Sequence, residues 1–258
     1  MNEILVLAEH RDGELRDVTF EMLGKAGALA GSSGGAVTAL LLGTGVGDMA
    51  GKLTDYADEV LVVDHGNLTN FNSAVYQPVV ADVVKSRAPS LVMIGNTAFG
   101  VDLAPSLAVA LEFPLASDCI DVTLDGGAVS VTRQIYEGKI DERVSFRDAA
   151  TALVTVRAAA FPFEDGTRSG SVFELDTAVP EEPAIRRFLE YVEAAAGDVD
   201  ITKSGEFVVV NERAFQTDHT AVVWPWVENI TFRTNKGDAG CDEFLTDGVN
   251  RGVGYLRE

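Results

Sequence analysis

A chain of 258 residues is long enough for one large domain, or for one domain with a smaller companion, and its 40 acidic against 20 basic side chains give it a formal charge of −20. That charge argues against nucleic acid and anionic membrane surfaces, since both are bound through Lys and Arg. Hydrophobic residues at 47 % and charged residues at 23 % are ordinary globular proportions, and no apolar run approaches the ~20 residues of a membrane-spanning helix.

The N-terminus, Met1-Asn2-Glu3-Ile4, lacks the basic stretch and apolar core of a secretory signal, so a cytoplasmic location is expected. Ile4 to Ala8 reads as a buried strand. Leu15 to Ala30 reads as a helix with Leu15, Val18, Met22, Leu23 and Ala26 on one face, broken by Gly31-Ser32-Ser33-Gly34-Gly35. Ala36 to Leu42 is the second strand, followed by a short helix from about Asp48 to Tyr56. Val60 to Val63 is the third strand, Asn72 to Ala88 a helix stopped by Pro89, Leu91 to Gly95 the fourth strand, and Leu103 to Leu111 its helix. Strands that are apolar throughout and alternate with helices are covered on both faces. The expected fold is therefore α/β, a doubly wound and mostly parallel sheet with ligand-facing positions at the carboxyl ends of its strands.

After Ser117 the helices stop. Cys119 to Thr123, Ala128 to Tyr136, Val144 to Phe146 and Ala152 to Arg157 read as antiparallel strands added to the sheet, with a hairpin turn at Asp125-Gly126-Gly127. Phe161 to Pro183 reads as a linker or partner-wrapping arm, and Ala184 to Ala196 as a helix.

Two glycine motifs bear on chemistry. Gly31 to Gly35 fits GxSxG, but the order around Ser33 is helix, loop, strand, the reverse of what a nucleophile elbow needs. Gly45-Val46-Gly47-Asp48-Met49-Ala50 matches GxGxxA between a strand and a helix, and Asp64 ends the next strand where a ribose-binding carboxylate belongs. Gly45, Gly47 and Asp64 thus form either a nucleotide site or a structural tight turn. His10, His65 and the Asn96–Gly100 loop share the same edge of the sheet, without a nucleophile or carboxylate at diagnostic spacing. Cys119 and Cys241 form no CxxC, and three His without HExxH spacing make no metal site, so none is expected.

Four segments taken together carry a resemblance. They are Ile4 to His10 with Gly13-Glu14-Leu15, Ala57 to Asp64, Thr97 to Pro105 with Ala116-Ser117-Asp118-Cys119, and Thr132-Arg133-Gln134-Ile135-Tyr136-Glu137-Gly138-Lys139. The last is close to a Thr-Arg-Pro-x-Tyr-x-Gly-x signature. The chain resembles the electron-transfer flavoprotein alpha subunit from its start to about Asp200–Lys203. The resemblance implies an N-terminal domain of adenine-nucleotide-hydrolase-like fold over 1–160, an arm over 161–183, and a truncated or divergent remnant of the FAD domain over 184–258.

It also implies a beta-subunit partner, with AMP held there, and FAD mainly in the C-terminal domain of the alpha subunit. The flavin would pass electrons from dehydrogenases to a quinone-linked or other acceptor, making the protein a carrier rather than a substrate-transforming enzyme. Arg133, Tyr136, Gly138 and Lys139 would serve subunit or interdomain contacts, unless Arg133 merely satisfies a local acidic neighbour. Beyond Lys203, Phe207 to Val210 starts the expected strand, but Asn211 to Phe215 stand where the family has a Gly-Arg-Gly turn, and its Arg-Gln-Val-Gly and Thr-Gly-Lys segments do not follow. Either this is a member with a short, different C-terminal region, or a frameshift or artificial joint has replaced the tail. The alternative function is a stand-alone nucleotide-binding domain using Gly45, Gly47 and Asp64.

Overall fold

The computed structural model describes residues 3–183 except 126–127, 147–148, 164 and 182, together with Phe188 and the backbone of 221–222 and 253–254. The chain divides into two units, Met1–Leu189 and Glu190–Glu258. In the second, strands Ala221–Val222 and Val253–Gly254 pair antiparallel. The helix expected from Ala184 to Ala196 and the strand expected at Phe207 to Val210 lie outside the described residues, Phe188 apart.

The first unit is organised by strands with no polar face. In β1 (Glu3–Ala8), Ile4, Val6 and Ala8 enter one hydrophobic core while Leu5 and Leu7 enter another. This is the period-two alternation of a strand covered on both sides. The same division repeats in β4 (Ala36–Gly43), β5 (Glu59–Asp64) and β6 (Leu91–Gly95). Each fully buried Leu or Ile contributes about 1.5–3 kcal/mol relative to exposure. Between β1 and β4 lie a two-residue ladder, β2 (His10–Arg11) with β3 (Glu14–Leu15), and helix α1 (Asp17–Ser33). α1 and α2 (Gly47–Leu53) cover the first core, and α3 (Ser73–Arg87) and α4 (Ala98–Leu111) cover the second.

Local signals set the helix ends. α1 runs through Ser33, past the break expected at Gly31, and stops at Gly34, whose left-handed backbone returns its N–H to Ala30 O. Asn72 caps α3 by accepting from Ala74 N, and α3 ends at Ala88, just before Pro89.

The sheet has nine strands in the order β11-β5-β4-β1-β6-β10-β7-β8-β9, where β7 is Leu115–Asp125, β8 Ala128–Ile135, β9 Ile140–Ser145, β10 Ala152–Val156 and β11 Ser171–Glu174. β8 and β9 are antiparallel, as expected. β10 corrects the sequence reading: it runs parallel to both β6 and β7 and sits between them. The reason is its complete burial, since five apolar or hydroxyl residues without an exposed position belong in the centre of a sheet.

Residues 161–183 contribute the edge strand β11, parallel to β5. Approach to the sheet is governed by Gly166 and Gly170, where an added Cβ would lie 2.4 Å from Asp55 O and 2.1 Å from Ala57 O. Backbone bonds Arg168 N to Asp55 O (2.8 Å) and Gly170 N to Thr54 O (2.9 Å) use that proximity, and the Arg168 guanidinium pairs with Asp58. Further on, Thr177 bonds Asp82 of α3 at 3.0 Å, and Asn67 bonds Pro180 O at 3.0 Å.

Candidate functional site

Strand order reverses at β1, which has β4 and β5 on one side and β6 on the other, so the crevice above β1 and β6 is where an open α/β sheet presents ligand groups. Glu9 leaves β1 there, and Thr97 leaves β6. The Thr97 hydroxyl donates to Glu9 Oε2 at 2.6 Å and accepts from Gly100 N at 3.3 Å, capping α4. Glu9 is held from behind by Thr19, which exchanges hydrogen bonds with its backbone N and O at 2.9 and 3.0 Å. Burial pushes the Glu9 carboxyl above its usual range, against the Thr97 hydrogen bond and the charges of Arg16 and His10.

Above β10 stands a second cluster. Arg157 grips Asp118 bidentately, Nε to Oδ1 at 3.0 Å and Nη2 to Oδ2 at 2.7 Å, and its Nη1 donates to Gln134 at 2.8 Å. Asn96 donates to Asp118 at 3.0 Å and accepts from Thr155 at 2.9 Å. Arg157's hydrogen bonds hold the Asp118 carboxyl below the usual carboxylate range, and Asp118 in turn raises Arg157. These residues tie the ends of β6, β10 and the β8 hairpin to one another.

At the GxGxxA turn the structure brings the three expected residues together. Asp64 places its carboxylate on Gly45 N, at 2.9 and 3.0 Å, and on Val46 N at 3.3 Å. A pyrophosphate at this turn would need the same N–H groups. Gly47 opens α2, which is only seven residues long. His10 Nε2 lies 2.8 Å from Leu42 O, and His65 Nδ1 accepts from Asn67 N at 3.1 Å. Ser33 donates to Leu29 O inside α1's last turn. Burial lifts the Cys119 thiol to about 12, so it stays protonated. Among the described residues there is no cluster of three or more metal-ligating side chains.

The hairpin between β8 and β9 carries the remaining expected residues. Arg133 pairs with Glu142 across the ladder at 2.5 Å. Tyr136, Glu137 and Gly138 are successive left-handed residues, and Lys139 N closes the turn on Tyr136 O at 3.3 Å. This backbone pushes Tyr136 outward to 71 % exposure beside Ile140 at 51 %. The sequence reading missed Gln134, Asp118 and Arg157, which anchor the hairpin to the sheet. An Arg just past a buried strand, with an Asp in the neighbouring left-handed position, is the signal that was there to find.

Residues 4–180 match the family model described as electron transfer flavoprotein domain. The chain is 36 % identical to the electron transfer flavoprotein subunit alpha of Bacillus subtilis, over 78 % of this chain and 62 % of that protein. It is 30 % identical to the subunit of the same name from Megasphaera elsdenii, over 83 % and 66 %. It is 31 % identical to the acryloyl-CoA reductase electron transfer subunit beta of Anaerotignum propionicum, over 63 % and 41 %. The chain thus spans less than two thirds of the length of these relatives.

Proposed function

The chain belongs to the electron transfer flavoprotein family, and from that premise we propose that it is the alpha-subunit-like component of a two-subunit flavin electron carrier. Electrons would pass through FAD from a dehydrogenase to a quinone-linked or other acceptor, and a beta-like subunit, holding AMP, would complete the complex. The observation that carries this reading is the family match across residues 4–180, which takes in the parallel sheet, the Arg133–Lys139 hairpin and β11 alike.

On this reading 1–160 are the N-terminal domain, 161–183 the arm, and 184–258 the divergent C-terminal region. The N-terminal domain is a scaffold rather than a flavin cradle. Among the described residues, the turn after β4 is taken by Asp64 and the switch point by Glu9 and Thr97, so neither place in this domain fits FAD. The hairpin residues Arg133, Tyr136, Gly138 and Lys139 present a shaped, protruding surface suited to a subunit contact. Their backbone is fixed by the turn and by Gln134's bond to Arg157.

The test is the visible absorption spectrum of the chain purified alone and co-expressed with a beta-like subunit. Flavin bands near about 450 nm in a stoichiometric complex are expected, because a bound flavin supplies the redox chemistry. A colourless complex would overturn the carrier reading.

A further inference from the structure

Residues 161–183 are tied down at both ends and held differently in between. At one end Phe161 is buried, with Lys25 Nζ 5.1 Å from its ring centre, and Phe163 packs edge-on against Phe20 at 5.4 Å. At the other end Val179 packs on the second core, Thr177 bonds Asp82, and Pro180 O accepts from Asn67. Between these ends all four residues of β11 are exposed, Val172 by 44 % and Phe173 by 47 %, so the strand buries little apolar area of its own. Its hold on the sheet is through backbone, with Gly170 N to Thr54 O at 2.9 Å and Ser171 N to Asp58 O at 3.1 Å. Under residues 165–168 even that contact is incomplete: a cleft of about 220 Å³ lies where they meet Gly24 and Gly27 of α1.

Charge works against closure of this stretch. Residues 161–183 carry six acidic side chains and one basic side chain, Arg168. Asp165 lines the cleft together with Asp55, acid beside acid. Arg168 offsets this. Its guanidinium pairs with Asp58, and its Nη2 reaches Gly27 O of α1 at 3.5 Å. Asp58 is fixed in turn, because its Oδ2 accepts from Val37 N in β4 at 2.8 Å. The one cation of the arm thus meets a carboxylate that the sheet itself holds in place. Both side chains stay partly in water, at 25 % and 41 % exposure, where an ion pair is weak and sensitive to salt.

We infer that residues 165–174 form a charge-latched strap. It opens and closes as a unit while the sheet stays folded, and the Arg168–Asp58 pair sets how often it is closed. Backbone bonds fix where the strap lies, and the latch offsets the repulsion that would lift it. Opening uncovers the outer edge of β5, where Val60, Leu61, Val62 and Val63 form an apolar strand with no other neighbour on that side. An edge of that kind is a pairing template, so the latch also guards it.

The experiment is native-state amide exchange on the 258-residue chain, comparing wild type, R168Q and R168K at about 0.05 and 1 M KCl. At low salt, exchange at Gly170 and Ser171 should be about two- to fivefold faster in R168Q than in wild type. R168K keeps the charge and should stay close to wild type. In 1 M salt, where charges are screened beyond ~3 Å, the difference between R168Q and wild type should shrink toward none. Amides in β1 and β6 should exchange alike in all three chains. Equal exchange in R168Q and wild type at low salt overturns the latch. A difference that persists undiminished in 1 M salt, or R168K behaving as R168Q does, would make Arg168 a packing residue and overturns it too. Faster exchange in β1 and β6 as well would mean that R168Q loosens the whole sheet, which overturns the strap as a separate unit.

Discussion

Gly100 sits in the first turn of α4, where a Cβ would lie 1.8 Å from Gly95 O and 3.0 Å from Ile94 Cγ2. A backbone carbonyl at the end of a buried strand cannot yield as a side-chain tip can. Gly100→Ala should therefore cost about 3 kcal/mol or more, read as a lower urea midpoint by circular dichroism; a midpoint within error of wild type would contradict the close packing of α4 on β6. Glu9 makes a prediction of a different kind. Its carboxyl is pushed above the ordinary value of 4.5 by burial, so folding favours the protonated form. The stability it contributes is complete below its unfolded pKa and is lost as pH rises through the folded value. Glu9→Gln keeps an acceptor for the Thr97 hydroxyl and carries no charge to desolvate. Its Tm should exceed that of wild type near about pH 7, and the difference should close toward about pH 4. A gap that does not change with pH would show that burial of the charge is not what matters there.

The arm at 161–183 is held less by side chains than by glycines that let backbone meet backbone. Gly170→Ala puts a methyl group against Ala57 O. It should release β11 from β5 without melting the sheet. Amide exchange at Ser171 and Leu175 should speed up while the global midpoint moves by less than about 1 kcal/mol. Protection retained at those two amides would refute it. The arm also shows what the sequence hides. Strands β1, β4, β5 and β6 were legible because burial on both faces forces a continuous apolar run. β11 is exposed at all four positions, and nothing in its hydrophobic pattern marks it as a strand. β10 was legible as a strand but not in its direction, because its crossover is made by the β8–β9 ladder instead of a helix, and direction is not written in four apolar residues and a threonine. At the turn after β4, spacing brought Asp64 near Gly45. It did not tell that the carboxylate itself takes the turn's N–H groups, which depends on side-chain reach.

For the whole molecule the strongest influence outside the core is charge. Forty acidic residues against twenty basic ones repel one another across the surface, and the repulsion is screened over ~10 Å at 0.1 M salt and ~3 Å at 1 M. Tm should rise by several degrees (roughly 3–8 °C) between about 0.05 and 1 M KCl, measured by calorimetry. A flat or falling Tm would mean that the ion pairs, such as Arg87 with Glu3 and Glu59, outweigh the repulsion. The placement of β10 has a further consequence, for the order in which the molecule is made. The ribosome delivers β7, β8 and β9 before the strand that must lie between β6 and β7. A nascent chain released as far as Ser145 therefore holds two half-sheets, each with an open inner edge. Those edges are long-range pairing sites of the kind that close slowly and invite aggregation. Synthesis of Ala152 to Val156 is the step that turns two sheets into one, so the chain needs chaperone protection most just before those five residues emerge.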